Sequence, residues 1–258
     1  MYRGGALMPQ PRAFIINVGV NASHGALRSP LFDDGTFTFV PIPEKPEYQP
    51  FECLPIYRDV LPARALACVP SKFHDRRAHD DPEFVTFTYG DYPGSKPRAA
   101  MLKRIAEGDH IFFLARLVRW HSPDRQWGEP GFYIVAFVVV EEVVRDISPD
   151  TPESNLRRVG RNAHVKRLAT GQGQPCFSVI KGSSESRLLT IPLPFDRQLT
   201  DRVMRDRNGQ PWRWDPRRSP LQVIGSYTRS CRMIEDPERA GMLIGTARSH
   251  AELSVDPR

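Results

Sequence analysis

Little in this sequence offers a ready-made metal or disulfide framework. The 258 residues contain four cysteines, Cys53, Cys68, Cys176 and Cys231, far apart and without a C-x-x-C pair. That excludes a zinc knuckle and a small disulfide scaffold, and leaves buried or incidental thiols. The seven histidines are scattered as well, and no H-E-x-x-H occurs. His74 and His79 fall in FHDRRAHDDPE, a polar stretch that reads as a solvated loop rather than a metal site. No apolar run approaches the ~18 residues of a membrane span. The opening MYRGGALMPQPR lacks the apolar stretch a secretory signal needs. Lysine is also scarce, at six of 36 basic residues. A chain whose positive charge is almost all arginine favours planar, bidentate and stacking contacts. With 40% hydrophobic residues it is too apolar for wholesale disorder. These features predict an Arg-rich globular protein of the cytoplasm, with no membrane association, no metal and no cofactor.

What is present is mostly β. Ala13–Val20 (AFIINVGV) is a short apolar run suited to a buried strand. Asp34-Gly35 marks a turn, and Thr36–Val40 reads as a β-rich segment. Seven prolines between Pro41 and Pro70 bar a long helix, leaving a covering loop or an excursion with a helical turn near Asp59–Ala67. Phe84–Tyr89 alternates like a strand. His110–Val118 and Phe132–Val144 carry the strongest signal and read as neighbouring strands of one sheet. Cys176–Ile180, Leu188–Leu193 and Leu221–Tyr227 are further strand candidates. Short helices are expected over Arg98–Ile105, Asn155–Arg167 and Asp196–Arg205, with another in the tail after Asp236. The simplest assembly is one α+β domain over 13–235 on a mainly antiparallel, partly closed sheet, with peripheral helices and long Pro-rich loops. A flexible N-terminus over 1–12 and a C-terminal tail over 236–258 would flank it.

Charge concentrates between 151 and 220, where fourteen bases face six acids. Such a region is a candidate phosphate-binding face, or a solvated surface of local ion pairs. Polar residues gather just after the first strand: Asn21, Ser23, His24, Ser29, Asp33, Asp34 and Thr36. They supply donors and acceptors for a base edge, although Asp-Asp-Gly is also a strong turn former. GRNAHVKR presents Arg161, Asn162, His164, Lys166 and Arg167. KGSSESR, from Lys181 to Arg187, is a candidate anion-binding turn, but G-x-x-x-x-G-K-[ST] is absent. Trp120 and Trp127 lie among Arg119 and Arg125, and Trp212 and Trp214 among Arg213, Arg217 and Arg218. An exposed ring beside arginine can stack an unpaired base. Tyr89 and Tyr92 are candidates to complete an aromatic wall, with burial in the core as the other reading.

FIINVGVNASHGALRSPLFDDGTFTFVPIPE resembles the opening of the nucleotide-modification-associated domain family of the third type. GRNAHVKR, followed by FSVIKGSSESRLLTIPL, is similar to that family's second half. EGDHIFFLARL and GFYIVAFVVVEEV are similar to the central hairpin of PUA-like barrels, including the ASCH, EVE and YTH groups. Gly108-Asp109 and Glu141-Glu142 occupy the matching places. The first resemblance implies bacterial or phage systems that make, read or restrict modified DNA. The second implies a PUA-like barrel that binds RNA or captures a modified base.

Together these readings predict a module that recognises a modified or extruded base in DNA or RNA. Asn21, Ser23, His24 and Asp34 would contact the base edge, and Tyr89, Trp120 or Trp127 would stack on it. Arg161, Asn162, His164, Lys166, Lys181 and Arg187 would hold phosphates. Stacking at ~1–3 kcal/mol plus phosphate contacts can offset the few kcal/mol that extrusion costs. The rival is an enzyme on a nucleotide or modified base, with His24 as general base and Asp33 or Asp34 as metal ligand or orienter. A third reading is an interaction subunit that works beside other modification or restriction proteins.

Overall fold

The computed structural model describes residues 12–94, 96–121, 126–171 and 176–253. The flexible N-terminus expected over 1–12 (apart from Arg12), Arg125, and the last five residues of the expected tail lie outside the described residues.

Valine, isoleucine and phenylalanine are densest between His110 and Ile147, and two long strands form there, His110–His121 (β6) and Gln126–Ile147 (β7). They pair antiparallel from His110↔Val139 onward. The first strand, Ala13–Val18 (β1), runs parallel to β6, with Phe14 opposite Ile111. Both faces of this centre are covered, which explains the nearly unbroken apolar runs. Ile111, Phe113, Ala115 and Leu117 pack with Phe14, Ile16 and Val18 on one side. Phe112 and Leu114 pack with Ala13, Ile15 and Ile134 on the other.

The second face is roofed by three helices: Arg197–Val203 (α5), Pro220–Tyr227 (α6) and Pro237–Leu253 (α7). Helix α7 buries Ala240, Leu243 and Ala247, one helical stripe, and Asp236 caps its first amides. The segment Leu221–Tyr227, expected as a strand, is the helix α6. Ser219 and Gln222 form a capping box with Pro220 in the first turn, and that start signal outweighs the β-branched composition.

Strand β7 changes partners along its length. Its first half pairs with β6 and with Arg187–Pro194 (β9). Its second half, from Val140 onward, pairs with Phe177–Gly182 (β8), with a register shift between Val140 and Glu142. Strand β8 pairs in turn with Thr88–Asp91 (β5). At the opposite edge β1 takes Arg232–Ile234 (β10). Ser29–Leu31 (β2) runs parallel to β6 further along. The result is one α+β domain with a large, mostly antiparallel sheet. The expected partly closed PUA-like barrel does not form. The strand path runs from β10 to β5, two short edge strands that do not pair with each other, so the sheet stays open.

Local expectations shift for identifiable reasons. Thr36–Val40 forms only an isolated bridge, Phe37 to Leu31. In Phe84–Tyr89 the extended strand begins only at Thr88, because Phe87 adopts a left-handed φ of 52°. The helix expected over Asn155–Arg167 breaks near Gly160 into Glu153–Arg158 (α3) and Ala163–Ala169 (α4). The proline-rich excursion carries Tyr57–Val60 (α1) and Ala63–Leu66 (α2). It has a core of its own, in which Tyr57, Leu61 and Ala65 pack with Leu27 and Phe32. Ile42–Pro43 (β3) and Ala78–His79 (β4) pair beside it, with Ile42 opposite His79.

Candidate functional site

Four distant segments bury polar side chains at one place. Glu44 follows β3. His79 ends β4, with Asp80 and Asp81 just after it. Gly90 and Tyr92 belong to β5 and its exit. Asn162, His164 and Arg167 come from α4, whose N-cap is Asn162. Glu44, His79, Asp81, Asn162, His164 and Arg167 are all buried. His79 and Asp81 flank a tight turn in which the Asp81 amide donates to the His79 carbonyl at 2.8 Å. Their burial corrects the solvated loop expected for FHDRRAHDDPE.

Close approach of α4 to β5 depends on Gly90. A Cβ there would lie 2.6 Å from His164 Cδ2 and 2.8 Å from Asn162 Oδ1, so a larger residue would wedge the helix away.

The carboxylate of Asp81 is held on one side only. Its Oδ1 accepts hydrogen bonds from Asn162 Nδ2 at 2.8 Å and from the Gly90 amide at 2.9 Å. Its Oδ2 faces the two imidazoles, 3.4 Å from His164 Nε2 and 4.0 Å from His79 Nε2. The rings cross edge-to-face with centroids 4.8 Å apart. On their far sides, His164 Nδ1 is 3.0 Å from the Tyr92 hydroxyl, and His79 Nδ1 is 3.1 Å from Glu44 Oε1. Arg167 donates through Nε to Glu44 Oε1 at 3.1 Å and through Nη2 to Oε2, and its guanidinium lies over the Tyr48 ring.

Electrostatics follow from burial and pairing. Burial works against the charge of Glu44, but the hydrogen bond and charge of His79, then Arg167, outweigh it and hold the carboxyl below its ordinary value. Burial pushes His79 down, toward the neutral imidazole, against the hydrogen bond it donates to Glu44 when protonated. Burial lifts the Tyr92 phenol to about 12, so it is a neutral hydroxyl at pH 7. Asp80 lies at the edge of the cluster. Burial first, then the charge of Glu83, raises its carboxyl to about 6, while Lys166 and Arg161 pull it down.

A stability effect follows for Asp80. A carboxyl whose folded pKa is raised above its unfolded value costs no stability while both states are protonated. The cost grows as pH rises from about 4 to about 6 and is constant above. Asp80→Asn is therefore expected to stabilise the protein by about 2–3 kcal/mol above pH 6.5. The gain should vanish near pH 3.5. Urea unfolding at both pH values in the presence of a chelator checks this, and an equal difference at the two would contradict it.

The sequence-predicted residues separate into two sets. Asn162 and His164 are members of the cluster. Arg161 stands outside it with a side chain 57% exposed, 3.6 Å from Glu83. Lys166 is half-buried and acts on Asp80. Tyr89 is buried against Phe113 at 5.3 Å and reaches Asp91 Oδ2 at 3.3 Å. The remaining residues engage near neighbours. Asn21 Oδ1 accepts from Ser23 N and Oγ, and the Asn21 amide donates to His24 Nδ1 at 3.0 Å. Asp34 accepts from Thr36 and pairs with Arg64, which together hold its carboxyl at about 2. Asp33 lies 3.9 Å from His121 Nδ1. Trp120 and Trp127 pack edge-to-face at 4.5 Å, half-buried on the core around Tyr57. Lys181 pairs with Glu141 at 3.2 Å, and Arg187 donates to the carbonyls of Ser184 and Ser186. Among the described residues, no hydrogen bond, ion pair or ring contact joins Asn21, Ser23, His24, Asp33 or Asp34 to the His164 cluster.

Sequence reasoning names neither Glu44 nor Asp81, reads His79 as solvated, and gives Arg167 a place in GRNAHVKR but no role. The H-x-D spacing was visible, but it lay inside a run of charged residues. A separate cleft of about 480 Å³ opens elsewhere, lined by Met204, Arg207, Arg232 and Arg239 among others.

A family model described as nucleotide modification associated domain 3 matches residues 12–224, a span that contains every residue of the cluster. No curated protein and no solved structure matches the chain.

Proposed function

Since the chain belongs to the nucleotide modification associated domain 3 family, we propose that it acts chemically on a nucleotide, or on a base within DNA or RNA, at the buried histidine–carboxylate cluster. The observation that carries this reading is the one-sided holding of Asp81 opposite two oriented imidazoles. Taking Glu44, His79, Asp81 and His164 out of water costs free energy that an apolar core would not. Local rules broken at such cost are characteristic of working sites. Imidazole and carboxylate at this spacing are suited to proton transfer to and from a reacting group. Arg161, just before α4, and Lys166 on that helix offer cations to a substrate's phosphates. Other modification or restriction proteins would supply or consume the modified product.

The test uses the purified chain with nucleoside triphosphates and with oligonucleotides bearing modified and unmodified bases. Mass spectrometry of the nucleosides is the readout. A new product is expected with the wild type and none with Asp81→Asn, checked for folding by circular dichroism. Absence of product from every substrate would reject the proposal.

A second reading, recognition of a modified or extruded base without turnover, is supported by the half-exposed Trp120–Trp127 pair beside the exposed Arg119. The two indoles would stack on the base. Asn21, Ser23, His24 and Asp34 would contact its edge, and Arg161, Lys166, Lys181 and Arg187 would bind phosphates. This reading requires binding that falls with salt, is lost in Trp120→Ala, and yields no product.

A further inference from the structure

The same three side chains carry an inference about cofactor, and it rests on the reading of the cluster as the chemical centre. One donor atom from each of His79, Asp81 and His164 lies within 4.8 Å of the other two, and all three residues are buried. The two imidazole Nε2 atoms face Asp81 Oδ2 at 3.4 and 4.0 Å. Both distances exceed the ~2.9–3.0 Å of a good N–H···O bond. An ion with bonds of ~2.0–2.2 Å separates its ligand atoms by ~3–3.5 Å, so small rotations of the rings suffice to close on one.

The surroundings are those of a coordination site. A histidine ligand is normally fixed by a partner on its other nitrogen, very often a carboxylate. Glu44 stands in that place for His79, and the Tyr92 hydroxyl for His164. An ion at both Nε2 atoms requires Nδ1–H on each ring, directed at these oxygens; Arg167 Nη2, which also lies 2.9 Å from His79 Nδ1, would then pair with Glu44 alone. The third ligand is oriented too, since Asn162 and the Gly90 amide occupy Oδ1 and leave Oδ2 for the ion. Two nitrogens and one carboxylate oxygen exclude the all-oxygen preference of calcium and magnesium and the thiolate preference of copper(I).

We propose that His79 Nε2, Asp81 Oδ2 and His164 Nε2 bind one divalent first-row transition metal ion, zinc or iron(II). Glu44 and Tyr92 act as positioning residues. Three protein ligands leave at least one coordination position for water or substrate, the arrangement of catalytic rather than structural sites. The ion supplies a Lewis acid at the centre of the cluster.

The test is metal uptake, with no reaction required. The chain is stripped with a chelator, dialysed, and titrated separately with zinc, with iron(II) under anaerobic conditions, and with cobalt(II). Bound metal is read by elemental analysis and the cobalt spectrum. One equivalent per chain is expected, with affinity weakened at least about 100-fold in His164→Gln and in Asp81→Asn. Tyr92→Phe keeps the ring and should cost about 10–100-fold, and it serves if the ligand variants fail to fold. Failure of the wild type to take up any of the three ions overturns the inference, as does equal affinity in a folded His164→Gln. Uptake without turnover would uphold the metal and reject the proposed activity. Turnover unaffected by chelation would do the reverse.

Discussion

Arg167→Ala is expected to lower the unfolding free energy by about 3–5 kcal/mol. The Arg167 side chain is 8% exposed and its partner Glu44 is 0% exposed. Removing the guanidinium leaves a carboxylate in the interior with His79 as its remaining partner, and a buried charge that loses its counter-ion costs far more than the pair contributes. The substitution also uncovers the face of Tyr48. Urea denaturation at pH 7 measures the loss. The control is Arg64→Ala, which breaks the ion pair with Asp34 on a surface where both side chains are at least half exposed. That pair should be worth under about 1 kcal/mol. Similar costs for the two variants would show that Glu44 is not sealed from water.

Phe113→Ala should cost about as much, 3–5 kcal/mol, by a different route. The ring is fully buried on β6, where it meets Tyr89 at 5.3 Å and Phe84 at 5.8 Å. It is therefore the wedge between the central sheet and the strand that carries Gly90. The cavity left by alanine lies directly behind β5. The expected result is a fall in denaturation midpoint together with loosened packing of α4, read as faster amide exchange at Ala163–Ala169. A drop of less than 1 kcal/mol would mean that neighbouring rings collapse into the space.

Much of the fold was legible in the sequence because it rests on unbroken apolar runs. AFIINV, HIFFLARLV and the Val-rich stretch to Val144 are strands for the reason they read as strands, burial on both faces of one sheet. LQVIGSY misled because its composition is β-like, while the decisive signal, Ser219 with Gln222, precedes and overlaps it. Closure of the sheet was illegible, since it depends on which distant strands meet. The cluster was half legible. Asn162 and His164 stood out inside GRNAHVKR, but His79 did not. Its partners Glu44 and Arg167 are 35 and 88 residues away in the chain. Nothing local distinguishes a histidine in a charged run that will be buried from one that will stay wet. Only the fold supplies the carboxylate and guanidinium that make burial tolerable.

The change of partners along β7 ties the cluster's fate to that of the whole molecule. One continuous backbone holds β6 and β9 with its first half and β8 with its second, and β8 carries β5. The edge that carries Gly90, against which α4 packs, is therefore continuous through the backbone ladder with the centre of the sheet. Exposing the histidines takes lifting α4 or moving the separate β3–β4 pair that carries His79, because β5 beneath them can leave only by unzipping the ladder toward the centre.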